Sequence, residues 1–462
     1  MQLKGAGNMQ ENRKELTIPA YVQETLQALE KAGHQAYCVG GCVRDSLLGR
    51  VPGDWDVTTS ALPEETMALF DHFAIPTGLR HGTVTVRSGG LACEVTTFRT
   101  DGNYPDHRHP AAVSFTRDLT EDLARRDLTV NAMAMDVRGT LFDPFRGQQD
   151  IQTKMLRCVG QPERRFSEDA LRILRTLRFS ATLGFAIETD THRALRQQCG
   201  DLRYVAAERI REELTKLLCG KDAGRVLAEE PQVLGVVLPE ILPCVGFDQH
   251  NRHHCYDVWG HTAHAVDAAP PEPVLRWTML LHDLGKPQCF TLDERGVGHF
   301  YGHHRPGTEL AEAICRRLRF DNAAARRICT LVRYHDRPIS LTEKAIRRAM
   351  NQLGVDALRQ LCDVKRADNM AQHPDYRSRQ QEIDKGEAMM DDLLAKDACF
   401  SLRQLAVNGR DMAALGLQGR QIGRTLQALL EAVMDGTVGN EREALLAMAA
   451  KKASPLLRAD TI

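Results

Sequence analysis

At 462 residues the chain is too long for one compact core, and two to four domains are expected. A hydrophobic content of 43% and a charged content of 26% are those of an ordinary soluble protein, and the formal net charge of −1 excludes a global basic field as the means of attracting a nucleic acid. Only 5% of the residues are aromatic, which disfavours a platform of repeated base stacking, and the 13 cysteines include no Cys-x-x-Cys pair, which argues against a disulfide framework and a zinc knuckle. The first residues lack an apolar signal core, and no stretch approaches transmembrane length; a reduced, cytoplasmic compartment is expected, with no membrane partner.

Residues 1–17 are polar and expected to fray. Pro19 to Lys31 reads as a helix with Thr17 as N-cap and Val22, Leu26 and Leu29 on one face. Apolar residues up to Val39 read as a short strand, Gly40-Gly41 as a close turn, and Val43 to Leu48 as a helix pointing its N-terminus at that turn. Backbone N–H groups there, with Gly41 and Arg44, suit a triphosphate. Asp54 and Asp56 alternate with Trp55 and Val57. In an extended strand the two carboxylates share one face, and such hard oxygen ligands beside a phosphate-binding turn point to Mg²⁺ and nucleotidyl transfer. Leu62 to Phe70 follows as a helix, then strands at Thr83–Val86 and Cys93–Phe98, the second bringing Glu94 as a third candidate carboxylate.

The combination of Val39-Gly40-Gly41-Cys42-Val43-Arg44-Asp45 with Gly53-Asp54-Trp55-Asp56-Val57 resembles the signature of the bacterial, class II tRNA nucleotidyltransferases (CCA-adding enzymes) and the related poly(A) polymerases. Arg99 to Pro110, with Gly102, Pro105 and Pro110, reads as a long mobile loop. In that family a flexible loop in this place is associated with the switch from C to A addition. Arg125-Arg126-Asp127 to Asn131-Ala132 resembles a further family motif: Arg126 offers a fork of donors to a triphosphate, and Asp127 and Asn131 share a face if the segment is helical. Asp143 to Asp150 reads as a turn closing the catalytic domain.

From Leu156 the pattern is helical almost to the end. Phe166 to Phe179 reads as one helix with Ser167 as N-cap, Ala170, Ile173, Leu174, Leu177 and Ala181 inward, and Asp169, Arg172, Arg175 and Arg178 stepping by three along another face. These arginines, with Arg157, Arg164 and Arg165, form a local basic patch. On their Watson–Crick edges cytosine and adenine each present an amino donor beside a ring-nitrogen acceptor, whereas uracil and guanine present the reverse. An aspartate accepting from the amine and an arginine donating to the ring nitrogen therefore admit C and A and reject U and G. Family members carry this Glu-Asp-x-x-Arg-x-x-Arg pattern as a protein template. The resemblance places Asp169 and Arg172 in that role and gives Arg175 and Arg178 to nucleotide or phosphate binding.

Pro231, Pro239 and Pro243 mark a linker region. His261, His282-Asp283, His303-His304, His335-Asp336 and Asp368 then supply mixed nitrogen and oxygen ligands for a divalent metal. Their order resembles the HD-type metal-dependent phosphohydrolases, which carries His261, His282, Asp283 and Asp368 onto that family's ligand positions; His303, His304 and His335 can hold a second metal or steer phosphate. The last section, with Asn408-Gly409 as a turn and Ile422 to Met434 as an amphipathic helix, resembles the tRNA-gripping tail of class II enzymes.

The fold expected is α+β: a small nucleotidyltransferase head with a mixed sheet (18–155), a helical neck carrying the template helix (156–235), an HD-type helical domain (240–375) and a helical tail (376–462). The resemblance implies transfer of CMP and AMP from CTP and ATP to the 3′ end of tRNA with release of pyrophosphate, dependent on Mg²⁺ and on no obligatory protein partner. An A-adding enzyme, a poly(A) polymerase, and a chain acting chiefly as an HD phosphohydrolase with a second divalent metal are the alternatives.

Overall fold

The computed structural model describes residues 18–88, 90–101, 113–338 and 340–459. The chain divides into two compact units, Met1–Asp222 with Gln232–Val237, and Ala223–Pro231 with Leu238–Ile462.

The first unit is built on a seven-stranded sheet. Its strands are β1 (Ala36–Val39), β2 (Asp56–Thr59), β3 (Ala74–Gly78), β4 (Thr83–Ser88), β5 (Leu91–Thr97), β8 (Ala134–Met135) and β9 (Leu141–Phe142), while β6 (Arg99–Asp101) and β7 (Val113–Phe115) form a separate hairpin. The spatial order is β3-β4-β5-β2-β1-β8-β9, antiparallel throughout except where β2 runs parallel to β5. That parallel pair sets Asp56 directly beside Glu94. Helices α1 (Ala20–Lys31) and α3 (Pro63–Phe70) pack on β4, so Val22, Leu26 and Leu29 meet Val57, Val84, Val86 and Val95 in one buried cluster. Burying each such aliphatic side chain is worth about 1.5–3 kcal/mol. Between Val39 and α2 (Gly41–Leu47), Gly40 takes φ 80° and ψ −127°, a conformation in which a side chain is strained.

Helices α4 (Leu119–Ala124), α5 (Gly147–Gln152), α6 (Pro162–Glu168), α7 (Leu171–Leu183), α8 (Thr189–Gln198) and α9 (Ala207–Leu218) complete this unit, with α6 against α8 and α7 against α9. Three local expectations are corrected. The helix expected from Phe166 is two helices, because Asp169 is extended (φ −144°, ψ 104°) and its carboxylate caps the Leu171 amide at 3.0 Å; Ser167 lies inside α6 and donates to the Arg164 carbonyl at 2.9 Å instead of capping. Asp127 to Asn131 is not an α-helix but a turn followed by a short 3₁₀ segment. The expected loop begins as a strand at Arg99–Asp101; Gly102, Pro105 and Pro110 lie outside the described residues, as does Thr17, while Pro19 stands at the N-cap of α1 without a side-chain cap.

The second unit is helical apart from a two-residue hairpin pairing Thr291–Leu292 with Gly298–His299. Helices Val258–Ala268, Pro273–Leu281, His304–Arg317, Asn322–Tyr334 and Val355–Met370 pack around the histidine-rich segments. Three further helices, Gly409–Ala414, Arg420–Met434 and Arg442–Ala459, close a separate core around Val407, Met412, Leu429, Leu430 and Leu445. Asn408 is not a plain turn residue. It caps the first of these helices, accepting from the Arg410 amide at 2.9 Å while its own amide donates to Asp411 at 2.8 Å. Among the described residues no helix is long and apolar enough to cross a membrane.

Candidate functional site

A cavity of about 470 Å³ opens in the first unit. On one side it is lined by the Gly40–Gly41 turn, Arg44, Asp56, Arg126, Asp127 and Asn131, and on the other by Asp169, Arg172, Arg175, Arg178 and Phe179; Arg125 and Arg209 complete the wall. Seven arginines therefore face three aspartates, a balance that suits a polyanion.

Each arginine is aimed by a specific partner. Arg44 donates Nε and Nη2 to the two Asp45 oxygens, both at 2.9 Å, and Nη1 to Asn131 Oδ1 at 2.6 Å, with its guanidinium 5.0 Å from the Phe179 ring centroid. Asn131 in turn donates to Asp127 Oδ1 at 3.2 Å, so these two residues meet without the expected helix. Asp127 also accepts from Arg175 Nε at 2.7 Å. Burial alone would raise the Asp127 carboxyl, but Arg175, aided by the Asn131 amide, holds it well below the usual carboxylate range. Asp122, fully buried, fixes Arg125 at 2.9 Å and Arg126 at 3.6 Å and takes the Thr58 hydroxyl at 3.1 Å. Arg126 Nε is buried without a hydrogen-bond partner, an orphaned donor beside the cavity.

Residues 54–57 alternate as expected although the strand starts only at Asp56: Asp54 and Asp56 are exposed, Trp55 and Val57 buried. Glu94 is exposed on the adjoining strand. Although Asp56 is exposed as a residue, its carboxyl is partly desolvated against the protein, and this with the negative charges of Glu94 and Asp54 raises it, the Arg126 guanidinium opposing. Three mutually repelling hard-oxygen donors are the chemistry a divalent cation relieves, so the residues fit such an ion. Among the described residues these three do not converge within 4.8 Å of one another as a trio.

Asp169 and Arg172 both reach the cavity, but their side chains are not paired with each other. Asp169 Oδ2 accepts from Arg209 Nη2 at 2.9 Å. Arg172 donates to Glu168 Oε2 at 2.6 Å and to the carbonyls of Arg125 and Arg165 at 3.0 and 3.1 Å. Arg178 pairs with Glu213 at 3.1 Å and lies 4.0 Å from the Phe179 centroid. Arg209, Phe179 and Asp122 were not singled out by sequence reasoning. Arg209 acts across 40 residues, and no local pattern marks it.

A second constellation lies in the second unit. His261, His282, Asp283 and Asp368 come together as expected: His261 Nε2 is 2.9 Å from Asp368 Oδ1 and 3.5 Å from Asp283 Oδ2, and His282 Nε2 is 3.2 Å from Asp283 Oδ2. His303 and His335 reach the other Asp283 oxygen at 3.3 and 3.6 Å, so Asp283 stands between two ligand groups. His304, by contrast, is half-buried and outside both groups. The four clustered imidazoles each turn Nδ1 onto a backbone carbonyl, those of Ala371, Met279, Phe300 and Val332, at 3.3, 2.7, 2.9 and 2.7 Å. In a neutral ring this sets the proton on Nδ1 and turns the Nε2 lone pair inward, the outer-shell arrangement of metal-binding histidines. Burial works against charge on His282, yet Asp283 and Asp368 pull its imidazole up to about 10: the cluster attracts positive charge. The donor set fits one or two divalent metals.

A mixed sheet whose Gly40–Gly41 turn and strand carboxylates stand beside an arginine-bearing helix capped by Asp169 defines a nucleotidyltransferase of the poly(A) polymerase head type. Residues 36–157 match the family described as "Poly A polymerase head domain", 184–244 that described as "Probable RNA and SrmB- binding site of polymerase A", and 305–449 the tRNA nucleotidyltransferase domain 2. The CCA-adding enzyme of Geobacillus stearothermophilus is 45% identical over 261 residues, 56% of this chain and 62% of that protein. That of Geobacillus kaustophilus is 52% identical over 195 residues, 42% of this chain and 48% of that protein. The sequence matches thus span less than two thirds of these relatives. The crystal structure of the Bacillus stearothermophilus CCA-adding enzyme in complex with CTP superposes with a TM-score of 0.71 at 31% identity, covering 95% of this chain and 98% of that one. The Thermotoga maritima CCA-adding enzyme complexed with tRNA shares the fold at 19% identity and a TM-score of 0.55, over 95% of this chain and 97% of that one. The chain belongs to the CCA-adding enzyme family of tRNA nucleotidyltransferases. Membership implies a divalent metal.

Proposed function

We propose that this chain transfers CMP and then AMP from CTP and ATP to the 3′ end of tRNA in the cytoplasm, releasing pyrophosphate, without a nucleic-acid template. The observation that carries the reading is the single cavity in which the Gly40–Gly41 turn and Asp56 face Asp169 and Arg172. The relative solved with CTP supports the nucleotide class, and the one solved with tRNA the acceptor.

In this reading Gly41, Arg44 and Arg126 hold the triphosphate, and the unpartnered Nε of Arg126 finds its acceptor there. Mg²⁺, held by Asp54 and Asp56 with Glu94 beside them, would neutralise charge at the α-phosphate. The tRNA 3′ hydroxyl gives up its proton to solvent as its oxygen forms the new bond to the α-phosphorus, the bond to the α–β bridging oxygen breaks, and pyrophosphate leaves with that electron pair. Asp169 and Arg172 read the base edge. Arg209 and Glu168 fix their positions, so a base with reversed donors meets like groups that cannot swing away. Arg175 and Arg178 are braced by Asp127 and Glu213 and supply positive potential behind the nucleotide. The head of this scheme is residues 18–155 and the neck 156–235, with 376–462 gripping tRNA.

The test uses tRNA transcripts ending before the CCA sequence and after each C, incubated with Mg²⁺ and CTP, ATP or both, and read at single-nucleotide resolution. Two C additions, one A and a stop are expected. A added only to the CC-ending transcript would instead identify an A-adding enzyme, and long A tails a poly(A) polymerase. Asp54→Ala should abolish transfer; full activity in that variant would remove Asp54 from the metal site.

The inward-turned imidazoles favour a second activity in the other unit, metal-dependent phosphohydrolysis at residues 240–375. His261, His282, Asp283 and Asp368 would hold one divalent ion, with Asp283 shared to a second at His303 and His335. Bound metal lost on His282→Ala, together with metal-dependent phosphate release, supports this; metal-independent release rejects it.

A further inference from the structure

Among the described residues Phe179 is the only aromatic side chain lining the cavity of the first unit, and it is nearly buried there, with 7% of its surface exposed. Three guanidiniums gather at its ring: that of Arg178 stands 4.0 Å from the centroid, that of Arg44 5.0 Å and that of Arg175 5.7 Å. They come from two elements. Arg44 lies on α2, behind the Gly40–Gly41 turn, whereas Arg175 and Arg178 lie on α7 with Phe179 itself.

Three like charges this close repel one another, and each is countered by its own carboxylate: Asp45 at 2.9 Å from Arg44, Asp127 at 2.7 Å from Arg175 and Glu213 at 3.1 Å from Arg178. The cations still sense each other. Burial first, and then the charges of Arg175 and Arg44, pull Arg178 below the usual guanidinium range, with Glu213 opposing. Neutralising a guanidinium does not by itself fix its plane. Arg178 Nε makes no hydrogen bond although Glu213 is within 3.1 Å, so this ion pair supplies charge, and the phenyl ring supplies orientation. An aromatic face attracts a cation through its quadrupole, more strongly where water is excluded, and takes up none of its N–H donors. An amide or carboxylate in this place would consume the donors, and an aliphatic side chain would fill the space without attracting them.

We infer that Phe179 is a positioning residue for the triphosphate: its ring gathers Arg44, Arg175 and Arg178 into one fan of donors from two elements, which a triphosphate bridges. The inference rests on the reading of this cavity as the nucleotidyl-transfer site. Asp169 and Arg172 are held by Arg209 and Glu168, so the choice of base is set apart from the ring.

The experiment compares the full wild-type chain with Phe179→Leu, Phe179→Met and Phe179→Tyr. In calorimetric titration with CTP and Mg²⁺ without tRNA, the Leu and Met variants, which keep apolar bulk without a ring, should raise Kd about fivefold or more, and Phe179→Tyr should stay within about twofold of the wild type. In single-C addition to a tRNA ending before the CCA sequence, Phe179→Leu should raise KM for CTP by a similar factor with a smaller fall in kcat, and leave the ratio of CTP to UTP in kcat/KM unchanged. Wild-type CTP affinity in the variants without a ring overturns the inference. An equal loss in Phe179→Tyr, or a CTP preference that collapses together with affinity, also overturns it, because either makes Phe179 a packing residue of α7. A wild type that binds CTP but adds no C would instead overturn the reading of the activity, and the calorimetric comparison would still decide the role of the ring.

Discussion

Asp127 has little access to water yet accepts from Arg175, Asn131 and the adjoining Leu128 amide, so its charge is retained inside the protein. Burial opposes that charge and Arg175 overrides it, leaving the carboxyl well below its usual range. A carboxyl lowered by folding contributes stability that is complete above the ordinary value, about 4, and lost as pH falls through the folded one. Asp127→Asn should therefore cost about 1–3 kcal/mol at pH 7, because the half-buried Arg175 loses its 2.7 Å partner and keeps Glu213 at 3.8 Å, and should lose less additional stability than the wild type on acidification below about pH 4. Urea unfolding between pH 7 and 3 checks both, and parallel pH curves would reject the account. Arg209 poses the complementary question of selectivity. If it holds Asp169 at the angle that reads an amino group, Arg209→Gln should lower the preference for CTP over UTP at least tenfold in kcat/KM, with kcat for CTP falling less. An unchanged ratio in single-turnover incorporation would make Arg209 merely structural.

The elements differ in how openly the sequence declares them. The β1–Gly40–α2 turn and the 54–57 alternation were legible because each follows from local rules: only glycine is at ease at φ 80°, and side chains alternate along extended backbone. The break at Asp169 was not. Apolar periodicity runs unbroken from Phe166 to Ala181 with no Gly or Pro, and the extended residue is held by its own cap on Leu171 and by Arg209, a partner 40 positions away. Asp127 and Asn131 illustrate the converse, since their contact was foreseen through a helix that does not exist and is made by a turn instead. In the second unit the ligand types were readable from order alone, but the carbonyls that orient them belong to turns and helix ends that periodicity does not show. Gly285 is one such hidden support. A Cβ there would strike the His303 carbonyl oxygen and lie 2.6 Å from the Gly307 amide nitrogen, so the His-Asp turn packs directly on the backbone of the helix carrying His304. Gly285→Ala should cost roughly 1–3 kcal/mol through that overpacking and reduce bound divalent metal, because His303 must move. Denaturation with metal analysis tests it, and normal metal content in a destabilised variant would separate packing from ligand placement.

Each of the two units closes its own hydrophobic interior, and each holds a different kind of donor set: carboxylates beside arginines in the first, imidazoles locked by backbone carbonyls in the second. A chain of this kind is not expected to unfold in a single two-state transition. A metal that binds the folded state and not the unfolded one adds stability of RT ln(1 + [L]/Kd), roughly 2.7 kcal/mol at a hundredfold excess over Kd, and only to the unit that binds it. Oxygen-only sites for Mg²⁺ retain several waters and bind weakly without substrate phosphates, whereas nitrogen-rich sites bind transition ions tightly. Chelation should therefore lower the melting of the second unit by several degrees and leave that of the first nearly unchanged. The two can be told apart by adding CTP with Mg²⁺, which should raise only the first. In His282→Ala the chelator-sensitive shift should vanish, because two Nε2-centred contacts to Asp283 and Asp368 go with it. Calorimetry of the wild type and this variant, with and without chelator, decides the matter: a chelator shift that survives His282→Ala would place the tight metal elsewhere in the chain.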